Sequence, residues 1–187
     1  MTDEPKYRKP IFKASGKNSF FEVFDNPSLD RMSATISIYD SATHKTTNRV
    51  TFYFNYENFY AWCNMIVNGQ VDIFLDAKNG FPSADFAVPR DRTRETMRMW
   101  RMEKTQKGNY QITITERERE DKWSEDAKLK DRASFYISPL SLYSLACKCA
   151  VYLQGRLDFP PQENTSPLVR AVDNDSYNGD EDDLGIE

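Results

Sequence analysis

Strict alternation of apolar and polar residues predicts two β-strands in the first third of the chain. Residues 34–40 (ATISIYD) place Ile36 and Ile38 on one side and polar residues on the other. Residues 48–54 (NRVTFYF) alternate in the same way. A period of two residues is that of a half-buried strand. The polar loop SATHKT between the two segments predicts a hairpin.

A second hairpin is predicted in the middle of the chain. Residues 97–103 (MRMWRME) and 110–118 (YQITITERE) flank the polar loop KTQKGN, and in the second segment Ile112 and Ile114 oppose polar neighbours. Further strand candidates are Ser19–Phe24 and Val71–Leu75. The Pro-containing, charged segment 76–94 is typical of a long crossover.

Two amphipathic helices follow aromatic strands. The first begins after Asn55, a favourable N-cap residue, and its apolar stripe consists of Phe59, Trp62, Cys63 and Ile66. The second begins after Ser138, with Pro139 at the favoured first position. Its stripe consists of Leu142, Leu145, Ala146, Cys149 and Leu153.

The two strand–helix segments match each other at an offset of 83 residues. FYFNYENFYAWCNMIVNG from Phe52 aligns with FYISPLSLYSLACKCAVYLQG from Phe135 through strand, cap and helical stripe. We interpret this match as a duplicated strand–strand–strand–helix unit, spanning about 14–69 and 97–155. The alternative is a coincidence between two short amphipathic helices, each preceded by an aromatic strand. Duplication predicts an α+β fold in which one antiparallel sheet has two helices packed on one side.

Composition indicates one ordinary globular domain, predicted at residues 1–158. The chain has 187 residues, 39% hydrophobic and 13% aromatic. It contains no apolar run long enough to cross a membrane, and the charged N-terminus predicts no signal peptide. The 3 cysteines do not make a complete disulfide framework. A reducing, cytoplasmic location is therefore expected.

The net charge of −4 conceals an acidic C-terminal segment. Residues 173–187 contain 7 acidic residues and no basic one, which leaves 25 basic against 22 acidic residues in the rest of the chain. This segment has little to bury, so a disordered tail is predicted there, after a linker at 159–172. Such a tail could solubilise the protein, compete with nucleic acid for a basic groove, or recruit other proteins.

No pattern in the sequence points to catalysis, a metal or a cofactor. The single histidine, His44, lies in a hairpin loop without predicted metal-ligating neighbours. Cys147 and Cys149 have the wrong spacing for zinc and are better explained as members of a helix stripe. Phosphate-loop, dinucleotide-binding, metalloprotease and serine-hydrolase motifs are missing. We therefore predict a protein that is not an enzyme, with no metal and no cofactor.

Cations and aromatic rings alternate on the predicted solvent side of both hairpins. Single-stranded nucleic acid is bound by such surfaces, because cations neutralise phosphates and rings stack on exposed bases. The predicted nucleic-acid-binding residues are Tyr39, Lys45, Arg49, Tyr53, Arg98, Trp100, Lys104, Lys107 and Tyr110. An ordinary solvated antiparallel face also contains such residues. For Trp100 the alternation is ambiguous, since Met97 and Met99 could instead be the outward pair.

The duplicated strands and helices resemble the Whirly-type fold and the related transcriptional-coactivator fold. Both families bind single-stranded nucleic acid on curved sheets. The resemblance covers about Phe20–Gly155 and lies in architecture. The Whirly lysine–glycine–lysine motif is missing here, so no individual binding residue is transferred. The end of the tail, GDEDDLGIE, is similar to the acidic C-termini of bacterial and phage single-stranded-DNA-binding proteins, although those often end in an aromatic residue.

These observations lead to one main hypothesis and two alternatives. The main hypothesis is a sequence-tolerant single-stranded-DNA-binding protein of bacteriophage replication or recombination, acting as a monomer or homodimer, with RNA as a possible target. Its tail would contact replication or recombination proteins. One alternative keeps this function on an oligonucleotide-binding barrel. The other is a protein-interaction or virion module that binds no nucleic acid.

Overall fold

The described part of the protein consists of two antiparallel sheets and three α-helices around one core. The computed structural model describes residues 9–43, 45–78, 83–85, 96–119 and 124–157. The predicted linker 159–172, the predicted tail 173–187 and most of the predicted crossover 76–94 lie outside the described residues. The overall α+β class is as predicted.

Each sheet is a four-stranded antiparallel meander whose strands follow one another in chain order. The strands of the first sheet are β1 (Phe12–Ser15), β2 (Ser19–Asn26), β3 (Arg31–Tyr39) and β4 (Thr46–Asn55). The strands of the second sheet are β5 (Ser83–Asp85), β6 (Thr96–Lys104), β7 (Tyr110–Glu118) and β8 (Leu129–Ile137). Each repeated unit thus contributes four strands and forms a sheet of its own. The sequence predicts three strands in each unit and one sheet shared by both units. An oligonucleotide-binding barrel is excluded by this topology.

A helix follows the last strand of each sheet, as the repeat predicted. The helices are α1 (Tyr56–Val67), α2 (Val71–Lys78) and α3 (Pro139–Leu157). Asn55 is the N-cap of α1, although its side chain makes no capping hydrogen bond. At α3, the Ser141 amide donates to Ser138 Oγ at 3.2 Å, so the Ser138 side chain caps this helix. None of the described helices has the length and hydropathy needed to cross a bilayer.

The strand predicted at Val71–Leu75 is wrong, because this segment forms most of α2. Val71 and Leu75 are buried, whereas Ile73 between them is 66% exposed. Burial four residues apart is helical spacing, and a strand would have buried all three side chains on one face. The segment is too short for its periodicity to distinguish the two elements by sequence.

Aromatic side chains from both sheets meet in the core. Trp100 is fully buried and is the centre of a ring cluster with Phe21, Phe52, Phe54 and Trp62. Its centroid distances to these rings range from 5.2 Å to 6.3 Å. The cluster joins β2 and β4 of the first sheet to β6 of the second, so the two sheets share a single core.

The two sheets repeat each other in register. Thr35 pairs with Thr51 across β3 and β4. Thr113 pairs with Ser134 across β7 and β8. Thr51 and Ser134 are 83 residues apart, which is the offset of the sequence repeat. The alignment of Phe52 with Phe135 found in the sequence therefore corresponds to equivalent places in the two sheets.

Two contacts between equivalent residues reveal an internal two-fold relation. Asn48 Nδ2 donates to Asp131 Oδ1 at 2.7 Å, and these residues are also 83 apart. In the core, the rings of Phe21 and Trp100 lie 6.0 Å apart. These two residues occupy matching positions of β2 and β6. Contacts between equivalent residues occur where a two-fold axis passes. The axis therefore runs from the aromatic core to the partly exposed Asn48–Asp131 contact.

A largely buried carboxylate, with 9% of its side chain exposed, connects the first sheet to the helices. Asp25 at the end of β2 accepts hydrogen bonds of 2.6 Å from the hydroxyls of Tyr56 and Tyr152, and Arg156 Nε lies 2.8 Å from it. Burial and the hydrogen bond to Asp25 raise the pKa of Tyr152 to about 12. Asp25 thereby ties β2 to the start of α1 and to the last turn of α3.

Truncation of the central ring should strongly destabilise the protein. Trp100→Ala is expected to lower the free energy of unfolding by about 3–5 kcal/mol, since it leaves a cavity between the sheets. Chemical denaturation monitored by circular dichroism measures this loss. Tyr143→Ala, at an exposed site on α3, is the control and should change stability by less than about 0.5 kcal/mol. Equal, small losses for both variants would place Trp100 outside the core.

The Tyr152 hydroxyl should stabilise the fold in a pH-dependent way. Tyr152→Phe is expected to cost about 1 kcal/mol of stability at neutral pH. Because the folded-state pKa is raised, this contribution is complete below the unfolded pKa of about 10 and disappears as the pH rises towards 12. Urea titrations of both proteins at stepped pH test this. A stability difference that stays constant across this range would contradict it.

Candidate nucleic-acid interface

The last strand of each sheet presents an equivalent row of outward side chains. The β4 row consists of Arg49, Thr51 and Tyr53, and the β8 row consists of Arg132, Ser134 and Tyr136. In both strands the alternate residues are buried, so these rows face away from the core. Arg49 and Arg132 are exposed, Tyr53 is half-buried and Tyr136 is 62% exposed. Each row therefore offers a cation, a hydroxyl and a ring in the same order.

Hydrogen-bonded hydroxyl pairs form the floor beside each row. The Oγ1 atoms of Thr35 and Thr51 lie 2.9 Å apart in the first sheet. Thr113 Oγ1 and Ser134 Oγ lie 2.9 Å apart at the equivalent place in the second. These short side chains satisfy each other and leave a polar, uncharged floor, in which Thr35 and Thr113 are buried, at 2% and 5% exposed. The longer arginine and tyrosine side chains project above it.

The arginine ends of the two rows lie beside the two-fold axis. Arg49 directly follows Asn48, and Arg132 directly follows Asp131. Asn48 Nδ2 also donates to the carbonyl of Arg132 at 3.1 Å. Among the described residues, neither arginine has a carboxylate within ion-pair distance. Two cations that the described residues leave uncompensated therefore flank the axis where it reaches the surface.

Four of the residues predicted from the sequence lie on the outer surface of the protein. Arg49 and Tyr53 belong to the β4 row. Lys45 and Lys107 are exposed in the two hairpin loops. The two lysines extend the positive surface beyond the ends of the hairpins.

Tyr39 is also on the outer face, but one side of its ring is already covered. It stacks on Phe20 at a centroid distance of 4.9 Å and an interplanar angle of 21°. Its hydroxyl donates to the Lys17 carbonyl at 2.9 Å. Lys13 Nζ lies 4.3 Å from the centroid of the Phe20 ring. This aromatic pair occurs in the first sheet and makes the outer faces of the two sheets unequal there.

The expectation that Trp100 and Tyr110 lie on the solvent face is wrong. Trp100 is 0% and Tyr110 is 5% exposed, and both belong to the core. Met97 and Met99 lie on the opposite face of β6, as in the alternative interpretation, but they are buried there, at 1% and 8% exposed. In β7, Tyr110 shares the inward parity of Ile112, so the alternation itself points its ring inward.

Lys104 is engaged in a structural cluster. Its Nζ lies 2.5 Å from Asp72 Oδ2, and the Tyr110 hydroxyl donates to Asp72 Oδ1 at 2.6 Å. The hydrogen bond from Lys104, followed by that from Tyr110, lowers the pKa of Asp72. Burial, followed by the bond to Asp72, raises the pKa of Tyr110. Lys104 thus holds β6 to α2, and its charge is compensated.

Arg98 is compensated in the same way. Its Nε lies 2.6 Å from Glu116 Oε2 on the neighbouring strand, and both side chains are largely buried, with 19% and 18% exposed. Arg98 shares the inward parity of Trp100 on β6. Of the predicted residues of the second hairpin, only Lys107 remains as a solvent-exposed cation without a described ion-pair partner.

Sequence reasoning missed Arg132, Tyr136 and Phe20. A signal for the first two was present, because the offset of 83 residues aligns Tyr53 with Tyr136 and Arg49 with Arg132. The residues predicted in the second half lie on and between β6 and β7, whereas the strand equivalent to β4 is β8. Phe20 had no comparable signal, since an aromatic residue in a strand is more often buried.

The described residues contain no cluster of three or more His, Cys, Asp or Glu that could hold a metal ion. Cys63 and Cys149 are buried where α1 meets α3, and burial raises the pKa of the Cys63 thiol. His44 lies outside the described residues. Cys63 and Cys149 are therefore packing residues in this fold.

Comparison with known proteins identifies the fold. No family model and no curated protein matches the sequence. The structure is similar to that of the plant transcriptional regulator PBF-2, with a TM-score of 0.50 and 9% identity, covering 91% of this chain and 89% of that one. WHY1 from Arabidopsis thaliana is similar with a TM-score of 0.47 and 7% identity, covering 81% of this chain and 92% of that one. The Whirly-like fold suggested by the sequence is confirmed.

Proposed function

We propose that this protein binds single-stranded DNA, with little sequence preference, on the β4 row and the β8 row. The observation that carries the proposal is the repetition of arginine, hydroxyl and tyrosine, in the same order, on equivalent edge strands. Both edge strands thus offer a cation for phosphate and a ring for a base at equivalent places of the two sheets. The Whirly-like architecture supports the proposal by analogy of fold.

The chemistry of the rows suits an unpaired strand. Arg49, Arg132 and the loop lysines neutralise phosphates, and the rings of Tyr53 and Tyr136 stack on bases. In a duplex the base faces are already stacked, so the tyrosines have nothing to cover. The floor of small hydroxyls offers no bidentate partner for a particular base. Stacking and phosphate contacts tolerate any sequence, and RNA can make the same contacts.

The setting we propose is bacteriophage DNA replication or recombination in the host cytoplasm. The similarity of residues 173–187 to the acidic tails of bacterial and phage single-stranded-DNA-binding proteins supports this setting. In this proposal the tail recruits replication or recombination proteins. It also competes with DNA for the arginines, because it carries 7 negative charges.

A protein-interaction module is the second candidate, and one observation favours it. The outer side of α3 exposes Leu140, Tyr143 and Val151, at 78%, 47% and 68%. Exposed apolar side chains on one helix suit a protein partner or a second copy of the chain. Such a contact is compatible with DNA binding on the sheets.

The ring of Tyr136 should contribute directly to DNA affinity. Tyr136→Ala is expected to weaken binding of a polythymidine oligonucleotide by about 1–3 kcal/mol, because one stacked base is lost. Fluorescence anisotropy at constant salt measures this loss. Tyr143→Ala removes a similarly exposed ring from α3 and should leave affinity unchanged.

The salt dependence provides a further check within the same assay. Arg132→Ala should lower the slope of log affinity against log salt by about 0.7, whereas Lys148→Ala on α3 should not. Single strands should bind more tightly than duplex at every salt concentration. Absence of binding to either form at low salt would reject the proposed function and favour the interaction module.

Removal of the acidic segment should tighten DNA binding. Deletion of residues 173–187 removes a polyanion that competes for the same cations, so affinity should rise most at low salt, where charges are least screened. A second variant keeps the length of this segment and replaces its aspartates with asparagines and its glutamates with glutamines. It should bind DNA more tightly for the same reason. If neither form binds DNA more tightly than the full chain, the competing-tail proposal fails.

A further inference from the structure

The internal two-fold relation has a consequence for how a strand can occupy the two rows. The axis passes between Asn48 and Asp131, whose side chains contact each other at 2.7 Å. Arg49 and Arg132 therefore lie beside the axis, and the tyrosines lie at the far ends of their rows. With a rise of roughly 3.3 Å per residue, each tyrosine is about 13 Å along its strand from the arginine of its row.

A nucleic-acid strand has a direction, and a two-fold axis conflicts with it. A path along the β4 row and onward along the β8 row meets tyrosine, arginine, arginine and tyrosine. The first row is thus traversed towards its arginine and the second away from it. A strand of uniform polarity on this path must bind two equivalent rows in opposite directions. A chiral, polar chain cannot make the same contacts in both.

We infer that each chain binds two separate single-stranded segments, one on each row. In both segments the 5′ to 3′ direction runs from the tyrosine to the arginine of the row, or in both it runs from the arginine to the tyrosine. This inference rests on the proposed function. A single long strand can bind both rows in this way if it loops back between them. Two different strands can bind both rows if they meet at the axis. The protein would therefore bring two segments that run in opposite directions together beside Arg49 and Arg132.

Polarity-reversed oligonucleotides test this inference. Two thymidine arms of about 8 nucleotides each, within the range of single-strand sites, are joined 3′ to 3′ or 5′ to 5′. The reference is a uniform strand of the same total length, too short to loop back between the rows. We expect one of the two reversed strands to bind at least about tenfold more tightly than the uniform strand, because both arms are then engaged at once.

A variant with one row removed is the matched control. In the Arg132→Ala, Tyr136→Ala double variant the uniform strand should still bind through the β4 row, and the advantage of the reversed strand should disappear. Joining the arms of a uniform strand by a long flexible spacer should restore tight binding to the unmodified protein.

Three results would overturn the inference. They are equal affinity for all directly joined strands, a reversed-strand advantage that survives in the double variant, and no gain from the spacer. In each case the uniform strand still binds, so the proposed function stands. Absence of binding by every oligonucleotide would reject the proposed function itself, and the two failures are distinguishable.

Discussion

The contact between the two sheets through their aromatic inner faces is the interaction on which the rest of the structure depends. Trp100 lies against Phe21, Phe52 and Phe54 of the first sheet and is fully buried. Because rings of this size contribute several kcal/mol each when buried, the sheets are held face to face. Their other faces are thereby directed outward. The β4 and β8 rows are presented to solvent because the alternate residues of the same strands are held in this core.

Polar side chains divide between two roles, and position in the fold decides which. Asp25 accepts from two tyrosine hydroxyls and Asp72 from one, each also binds a cation, and each ties a sheet to a helix. The cations that they hold, Arg156 and Lys104, are committed to stability. Arg49 is on an edge strand beside the axis and has no described carboxylate to neutralise it. The number of cations and tyrosines in the sequence therefore says little about binding. The strand register is more informative, because it determines which of these side chains are structural and which are exposed.

The sequence was sufficient for the elements and for their repetition, and insufficient for parts of the site. Period-two alternation located β3, β4 and β7, and cap residues with apolar stripes located α1 and α3. The short segment Val71–Leu75 was wrongly predicted as a strand, since five residues cannot show a period. Trp100 was misplaced because Met97, Met99 and Trp100 are all apolar, so only pairing with β7 decides which face is inward. The ion pair between Lys104 and Asp72 is a tertiary contact, so no local sequence pattern predicts it.

The most direct test of the account is to locate the bound strand on the protein. Oligothymidine that carries a photoreactive iodouracil is irradiated in complex with the full chain, and the cross-linked peptides are identified by mass spectrometry. The account predicts cross-links at Tyr53 and Tyr136, the rings of the two rows. Cross-links concentrated at Tyr143 on α3, with none on β4 or β8, would contradict it.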